Sequence, residues 1–146
     1  PANLYGINDN FHPQNSHVIP AMLQRFHNAM LEDHPCVTVW GTGKAQREFL
    51  YVDEMAEAVL YLMDNYCESE PINIGSGETV SIRELAKAIK KVTGYQGEIL
   101  FDATKPDGMP VKQLENKELE SLGWHSKVSL EEGLQNTYDW YCSTHS

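Results

Sequence analysis

Apolar residues recur at helical spacing in several long stretches of this chain, and shorter apolar runs lie between them. From Val18 to Leu31, the residues Ile19, Met22, Leu23, Phe26 and Met30 share one helical face. Asn15 or Ser16 can cap that helix, and Pro20 is tolerated because it falls in the first turn. CVTVWG (Cys36–Gly41) alternates like a strand, and EFLYV (Glu48–Val52) is a candidate partner for it. Asp53 can cap a second helix whose face carries Val52, Met55, Ala56, Val59, Leu60 and Met63. PINIGSG (Pro71–Gly77) reads as a buried strand ending in a glycine turn.

The clearest local signal is TVSIRELAKAIKKVTG. Ser81 and Glu84 form a capping box, Val80 and Leu85 can staple it, and Gly94 ends the helix. Ile82, Leu85, Ala86, Ile89 and Val92 are expected to face inward. EILFD (Glu98–Asp102) is a further strand, and a short helix near Lys117–Leu122 stops at Gly123. A second capping box, Ser129 with Glu132, opens a last helix running through Tyr141. Strands separated by helices of about ten residues or more predict an α/β fold. The strands are too few and short for a complete doubly wound sheet, so the 146 residues are expected to be part of a larger enzyme.

Composition adds limits. With 41% hydrophobic and 22% charged residues the chain is of globular type, and no internal repeat breaks it into units. The net charge of -10 argues against a nucleic-acid or anionic membrane surface, because phosphate binding needs a basic field. No apolar run approaches the roughly 20 residues that cross a bilayer. Cys36, Cys67 and Cys142 are widely spaced, odd in number and without a CxxC pair, which points to a reduced, cytoplasmic protein.

Candidate chemistry is sparse. Asn3 to Pro20 holds two histidines, two prolines and four asparagines, more than a plain linker needs. His12 and His17 lack the further ligands that a zinc site requires, and His17 can be a loop residue bonding locally. GTGK (Gly41–Lys44) resembles the tail of a phosphate loop, but Ala45 stands where a Ser or Thr would hold magnesium. IGSG (Ile74–Gly77) is likewise incomplete, so both read as tight turns. Arg25 and Arg47 are either solvated or aimed into a cleft to meet a diphosphate, which a guanidinium fork suits. Trp40 is either core or a ligand platform, and Asp107 in KPDG is either a turn residue or an acceptor for sugar hydroxyls.

Taken in order, NLYG, NFHPQNSHVIP, VWGTG, REFLYVDEMAEA, INIGSG, SIRELA and FDATKPDG resemble the C-terminal half of the GDP-L-fucose synthase family. That family belongs to the extended short-chain dehydrogenases/reductases. The resemblance covers essentially residues 1–146 and implies the C-terminal substrate-binding part of a Rossmann-type NAD(P)-binding fold, without its N-terminal dinucleotide part. It implies epimerisation of a GDP-4-keto-6-deoxy sugar at C3 and C5, then reduction of the C4 ketone by NADPH. His17 matches the family's proton-donating histidine beside the nicotinamide, and Pro1, Ala2, Asn3 and Leu4 match the stretch lining that end of NADP(H). Arg25, Trp40, Arg47 and Asp107 match positions contacting the GDP-sugar.

The family's glycine-rich loop, its Ser-Tyr-Lys set and its catalytic cysteine are expected upstream of Pro1, and the chain alone is expected to be inactive. The resemblance also implies a homodimer, and apolar surface left bare where the dinucleotide part packs. Another nucleotide-sugar epimerase or dehydratase, or a non-catalytic sugar-nucleotide-binding module, stands as the alternative.

Overall fold

Ser81 Oγ accepts the Glu84 N–H at 3.0 Å, and Ser129 Oγ accepts the Glu132 N–H at 3.1 Å, so both predicted caps form. The structure, a computed structural model, describes residues 2–12 and 14–145. In chain order its elements are β1 (Asn3–Tyr5), α1 (Val18–Leu31), β2 (Cys36–Trp40), β3 (Gln46–Arg47), β4 (Phe49–Tyr51) and α2 (Val52–Asn65). Next come β5 (Val80–Ser81), α3 (Ile82–Thr93), β6 (Glu98–Asp102), β7 (Val111–Lys112), α4 (Lys117–Ser121) and α5 (Leu130–His145). No helix among the described residues is long and apolar enough to cross a membrane.

Among the described residues these strands form three small sheets. β1 pairs in parallel with β4, setting Asn3 opposite Phe49 and Tyr5 opposite Tyr51. β2 pairs in parallel with β6, from Cys36 opposite Glu98 to Trp40 opposite Asp102. β3 lies between β5, antiparallel, and β7, parallel. The expected pairing of Cys36–Gly41 with Glu48–Val52 is therefore wrong. β2 is covered on one face and open on the other, whereas β4 is buried throughout, so the two strands suit different surroundings.

Helices α1, α3 and α5 bring Leu23, Phe26, Leu85, Ile89 and Leu134 into one core with Val37 and Val39 of β2. A second, smaller core gathers Leu50, Ala58, Ile74, Leu119 and Trp124. Between them the Glu54 carboxylate is buried, accepting from Ser126 Oγ at 2.6 Å, Lys127 N at 2.7 Å and Val128 N at 2.9 Å. A carboxylate held by that many donors can be buried without a cation.

Three further expectations shift. His17, not Asn15 or Ser16, occupies the N-cap of α1, and it caps through its backbone, the carbonyl accepting from Ala21 N at 3.0 Å. α2 begins at Val52 with Tyr51 at its N-cap, which puts Asp53 and Glu54 inside the first turn, where the helix dipole favours them. Its packed side carries Glu54, Met55, Ala58, Tyr61 and Leu62, so of the expected face Met55 packs inward while Leu60 (64% exposed) and Met63 (73%) face outward. Finally, residues 71–77 form no strand. Ile74 is buried, and its carbonyl accepts from Ala2 N at 2.9 Å.

Ser81→Ala should cost about 1 kcal/mol, whereas Leu85→Ala, at a site with no exposed surface, should cost about 3 kcal/mol. Chemical denaturation midpoints at constant slope check both. Equal losses would mean that the α3 core contact is weaker than its burial implies.

Candidate functional site

β2 delivers Trp40 to the edge of the molecule, where the indole is 68% exposed and Lys105 Nζ lies 5.1 Å from its ring centre. The chain then turns through Gly41, Thr42 and Gly43. Gly41 has φ +92°, and a Cβ there would fall on Asp107 Oδ1, so glycine is needed both for the turn and for the approach of that carboxylate. Asp107 Oδ1 accepts from Thr42 N at 2.7 Å, and Oδ2 accepts from Thr42 Oγ1 at 2.7 Å. These two bonds, first the hydroxyl and then the amide, hold the Asp107 carboxyl below the usual carboxylate range, and the charges of Lys44 and Arg47 add to the effect.

On β3 and the residue after it, side chains alternate: Arg47 points to the cleft and Glu48 into the interior. Arg47 Nη1 donates to the carbonyls of Gln46 (2.8 Å) and Met109 (2.6 Å), and Nη2 donates to the Asp107 carbonyl (3.2 Å). Three of its five N–H donors are thereby spent, leaving two with no partner among the described residues. Arg25 reaches the Thr38 carbonyl from α1, and partial burial lowers its pKa without removing its charge. Asn3, Val18, Arg25, Trp40, Arg47 and Asp107 line one cleft of about 310 Å³. A second, of about 360 Å³, opens beside Ala2, Asn3 and Met109 and shares Asn3 with the first.

Both glycine turns that looked like phosphate loops are filled by the chain's own carboxylates. Thr42 N holds Asp107, and Gly77 N holds Glu48 Oε2 at 3.0 Å. A Cβ at Gly75 would fall on that same Glu48 oxygen. Glu48 Oε1 accepts from Leu114 N at 2.8 Å, and Asn116 exchanges two bonds with the Gly75 backbone, each 3.2 Å. Neither turn can cradle a pyrophosphate while these bonds stand.

His17 is exposed at the start of α1, one residue before Val18, which lines the first cleft. The segment before it is folded on itself: Asn10 Nδ2 donates to the Asn15 carbonyl, His12 N to Asn10 Oδ1, and Gln14 N to His12 Nδ1. Phe11 anchors the segment, packing on Tyr141 of α5 with ring centres 4.6 Å apart. Asp9 belongs to the same segment. Its Oδ1 accepts from Asn10 N at 2.7 Å, while Oδ2 is buried with no hydrogen-bond partner among the described residues. Burial raises the Asp9 pKa, and the Asn10 amide, the nearby His17 and the Gly6 amide oppose the rise.

The structure thus gathers Asn3, Arg25, Trp40, Arg47 and Asp107 and leaves His17 on the adjoining rim. Leu4 packs against the second core, Ala2 fronts the second cleft, and Pro1 lies outside the described residues. The model of the NAD dependent epimerase/dehydratase family matches residues 1–75, just over half of the chain. The chain belongs to that family.

GDP-L-fucose synthase 1 of Arabidopsis thaliana is 55% identical over 141 residues, covering 97% of this chain and 44% of that protein. GDP-L-fucose synthase of Escherichia coli K12 is 51% identical over 150 residues, covering 97% of this chain and 47% of that protein. Among solved structures, a GDP-L-fucose synthetase from Naegleria fowleri bound to NADP superposes with a TM-score of 0.92 at 30% identity, covering 98% of this chain and 45% of that one. This epimerase/dehydratase-family chain therefore spans just under half the length of these relatives, and its architecture is part of a Rossmann-type fold.

Two residues of the site escaped the sequence reading, Thr42 and Asp9. Thr42 carried a signal, a hydroxyl between two glycines, but its acceptor stands 65 positions away. Asp9 sits in a polar run where nothing marks one carboxylate oxygen as buried.

The Asp9 shift fixes a pH dependence. Because its folded pKa lies above the ordinary 3.8, the folded state holds the extra proton, and stability falls as pH rises from about 3.8 through the raised value. Asp9→Asn should flatten that slope in pH-dependent melts. His17→Gln should raise the Asp9 pKa further in a carboxyl-carbon NMR titration, and an unchanged value would show that the two groups do not interact.

Proposed function

We propose that this chain is the C-terminal, substrate-binding part of an NADPH-dependent epimerase-reductase that converts GDP-4-keto-6-deoxy-D-mannose to GDP-L-fucose. The observation that carries this reading is the convergence of Arg25, Trp40, Arg47 and Asp107 on one cleft from separate parts of the chain. An arginine with two unspent donors, an exposed indole and a second arginine suit a nucleoside diphosphate, which offers a flat base and paired phosphate oxygens. The names of the relatives supply the sugar.

In this reading Arg47 neutralises the diphosphate, Trp40 forms an apolar wall, and Arg25 adds a second positive charge to the first cleft. His17, on the rim, donates the proton that completes epimerisation at C3 and C5, since imidazole exchanges protons near neutral pH. The hydride that reduces the C4 ketone is supplied by NADPH. Ala2 and Asn3, fronting the second cleft, would meet its nicotinamide end. Its phosphates would be held outside this chain, because both glycine turns are filled by Glu48 and Asp107. The outward stripe of α2, with Leu60 and Met63, would pack against the dinucleotide-binding part. The reading includes a cytoplasmic homodimer, and the three free cysteines fit a reducing compartment.

In the whole protein, incubation with the keto sugar in deuterated water should wash deuterium into C3 and C5, and His17→Gln should slow this by roughly 10²–10⁴-fold. Wild-type protein that reduces the ketone without washing in deuterium would favour another chemistry of the same family. The chain by itself should consume no NADPH with this substrate, and turnover by it would contradict the division of labour.

A further inference from the structure

We propose that Thr42 is a positioning residue for the GDP-sugar site: by gripping both carboxylate oxygens of Asp107 it straps residues 103–110 along the cleft and sets the aim of Arg47. The inference rests on the reading above for the identity of the ligand, while the strap itself rests on geometry alone.

The strap leaves β6, which pairs with β2, at Asp102 and enters a different sheet, the one centred on β3, at β7. Its first end is fixed at the Asp102 carbonyl, which accepts from Gly41 N at 2.9 Å and Lys105 N at 3.1 Å. Its second end is fixed by Gln46 N donating to the Pro110 carbonyl at 2.7 Å. Between these points it is held at Asp107, whose side chain is gripped by Thr42 and whose carbonyl accepts from Arg47, and at the Met109 carbonyl, also on Arg47. Thr42 and Arg47 therefore hold the same stretch from two sides. If Thr42 releases Asp107, the stretch swings, and the carbonyls of Asp107 and Met109 leave the guanidinium. Arg47 then loses two of the three bonds that orient it, and its remaining donors no longer point in a fixed direction.

This changes the part Asp107 plays. Both oxygens already accept hydrogen bonds from Thr42, and the carboxylate faces the cations Lys44 and Arg47. Asp107 acts on the ligand through the strap, and the Gly41-Thr42-Gly43 turn is a receptor for a carboxylate of its own chain. The grip is a charged one. Since the folded Asp107 pKa lies below the ordinary value, its contribution is complete above about 3.8 and is lost as pH falls through the lowered one. The grip therefore stays closed throughout the neutral range.

The test compares Thr42→Val with Thr42→Ser in the whole protein, reading the Asp107 titration by carboxyl-carbon NMR and GDP binding by calorimetry. Thr42→Val removes the hydroxyl donor, so the Asp107 pKa should rise toward the ordinary value. GDP binding should weaken roughly tenfold, the size of one lost charge-assisted bond. Thr42→Ser keeps the hydroxyl and should stay within about twofold of wild type on GDP. An Asp107 titration unmoved by Thr42→Val would overturn the grip. A moved titration with GDP binding intact would overturn the positioning role. Wild-type protein that takes up no GDP would overturn the assignment of the cleft, leaving the titration to judge the strap.

Discussion

A carboxylate that must be buried needs donors, and at Glu48 those donors are backbone amides. The residue is 3% exposed, and its oxygens accept from Gly77 N and Leu114 N, tying the start of β4 to a turn 29 residues away and to a segment 66 residues away. Because strand side chains alternate, sinking Glu48 obliges Arg47 to face the other way, into the cleft. The cation that is asked to meet a diphosphate is thus oriented first by the burial of its acidic neighbour. The buried Glu54 on the Lys127 and Val128 amides repeats the device, and the exposed Asp107 on the Thr42 amide uses the same kind of bond at the surface. Amide-held carboxylates fix segments far apart in sequence where the sheets of the described residues have two or three strands each.

The consequence for the site is preorganisation. Arg47 and Asp107 are held by hydrogen bonds rather than left as mobile surface groups, so little ordering remains to oppose ligand binding. The segment carrying His17 is arranged differently, with one aromatic anchor, Phe11 on Tyr141, and short-range hydrogen bonds. In the proposed function, the group that exchanges protons, His17, belongs to the segment held by short-range bonds, while the groups proposed to hold the ligand, Arg47 and Asp107, are held by bonds from distant parts of the chain.

Much of the helical layer was legible in the sequence because caps are local. Ser81, Ser129 and Gly94 act within a few residues of themselves. The strands Cys36–Trp40 and Glu98–Asp102 were legible as elements, but their partners were not, since a five-residue strand carries no signal for what lies beside it. The inward face of α2 was legible only at Met55 for a related reason: Val59, Leu60 and Met63 of its apolar stripe are exposed, and the packed side includes the buried Glu54. Periodicity finds an apolar face but does not say what covers it. The cleft residues came from resemblance to a family, not from pattern, because Arg25, Trp40, Arg47 and Asp107 converge only through tertiary structure.

The most direct measurement is a crystal structure of the whole protein with GDP. If the cleft is as described, the diphosphate lies against Arg47, between Trp40 and Arg25, with Asp107 still closed on Thr42 and Glu48 still on Gly77. A diphosphate seated in either glycine turn, with Glu48 or Asp107 displaced from its amide, would contradict it.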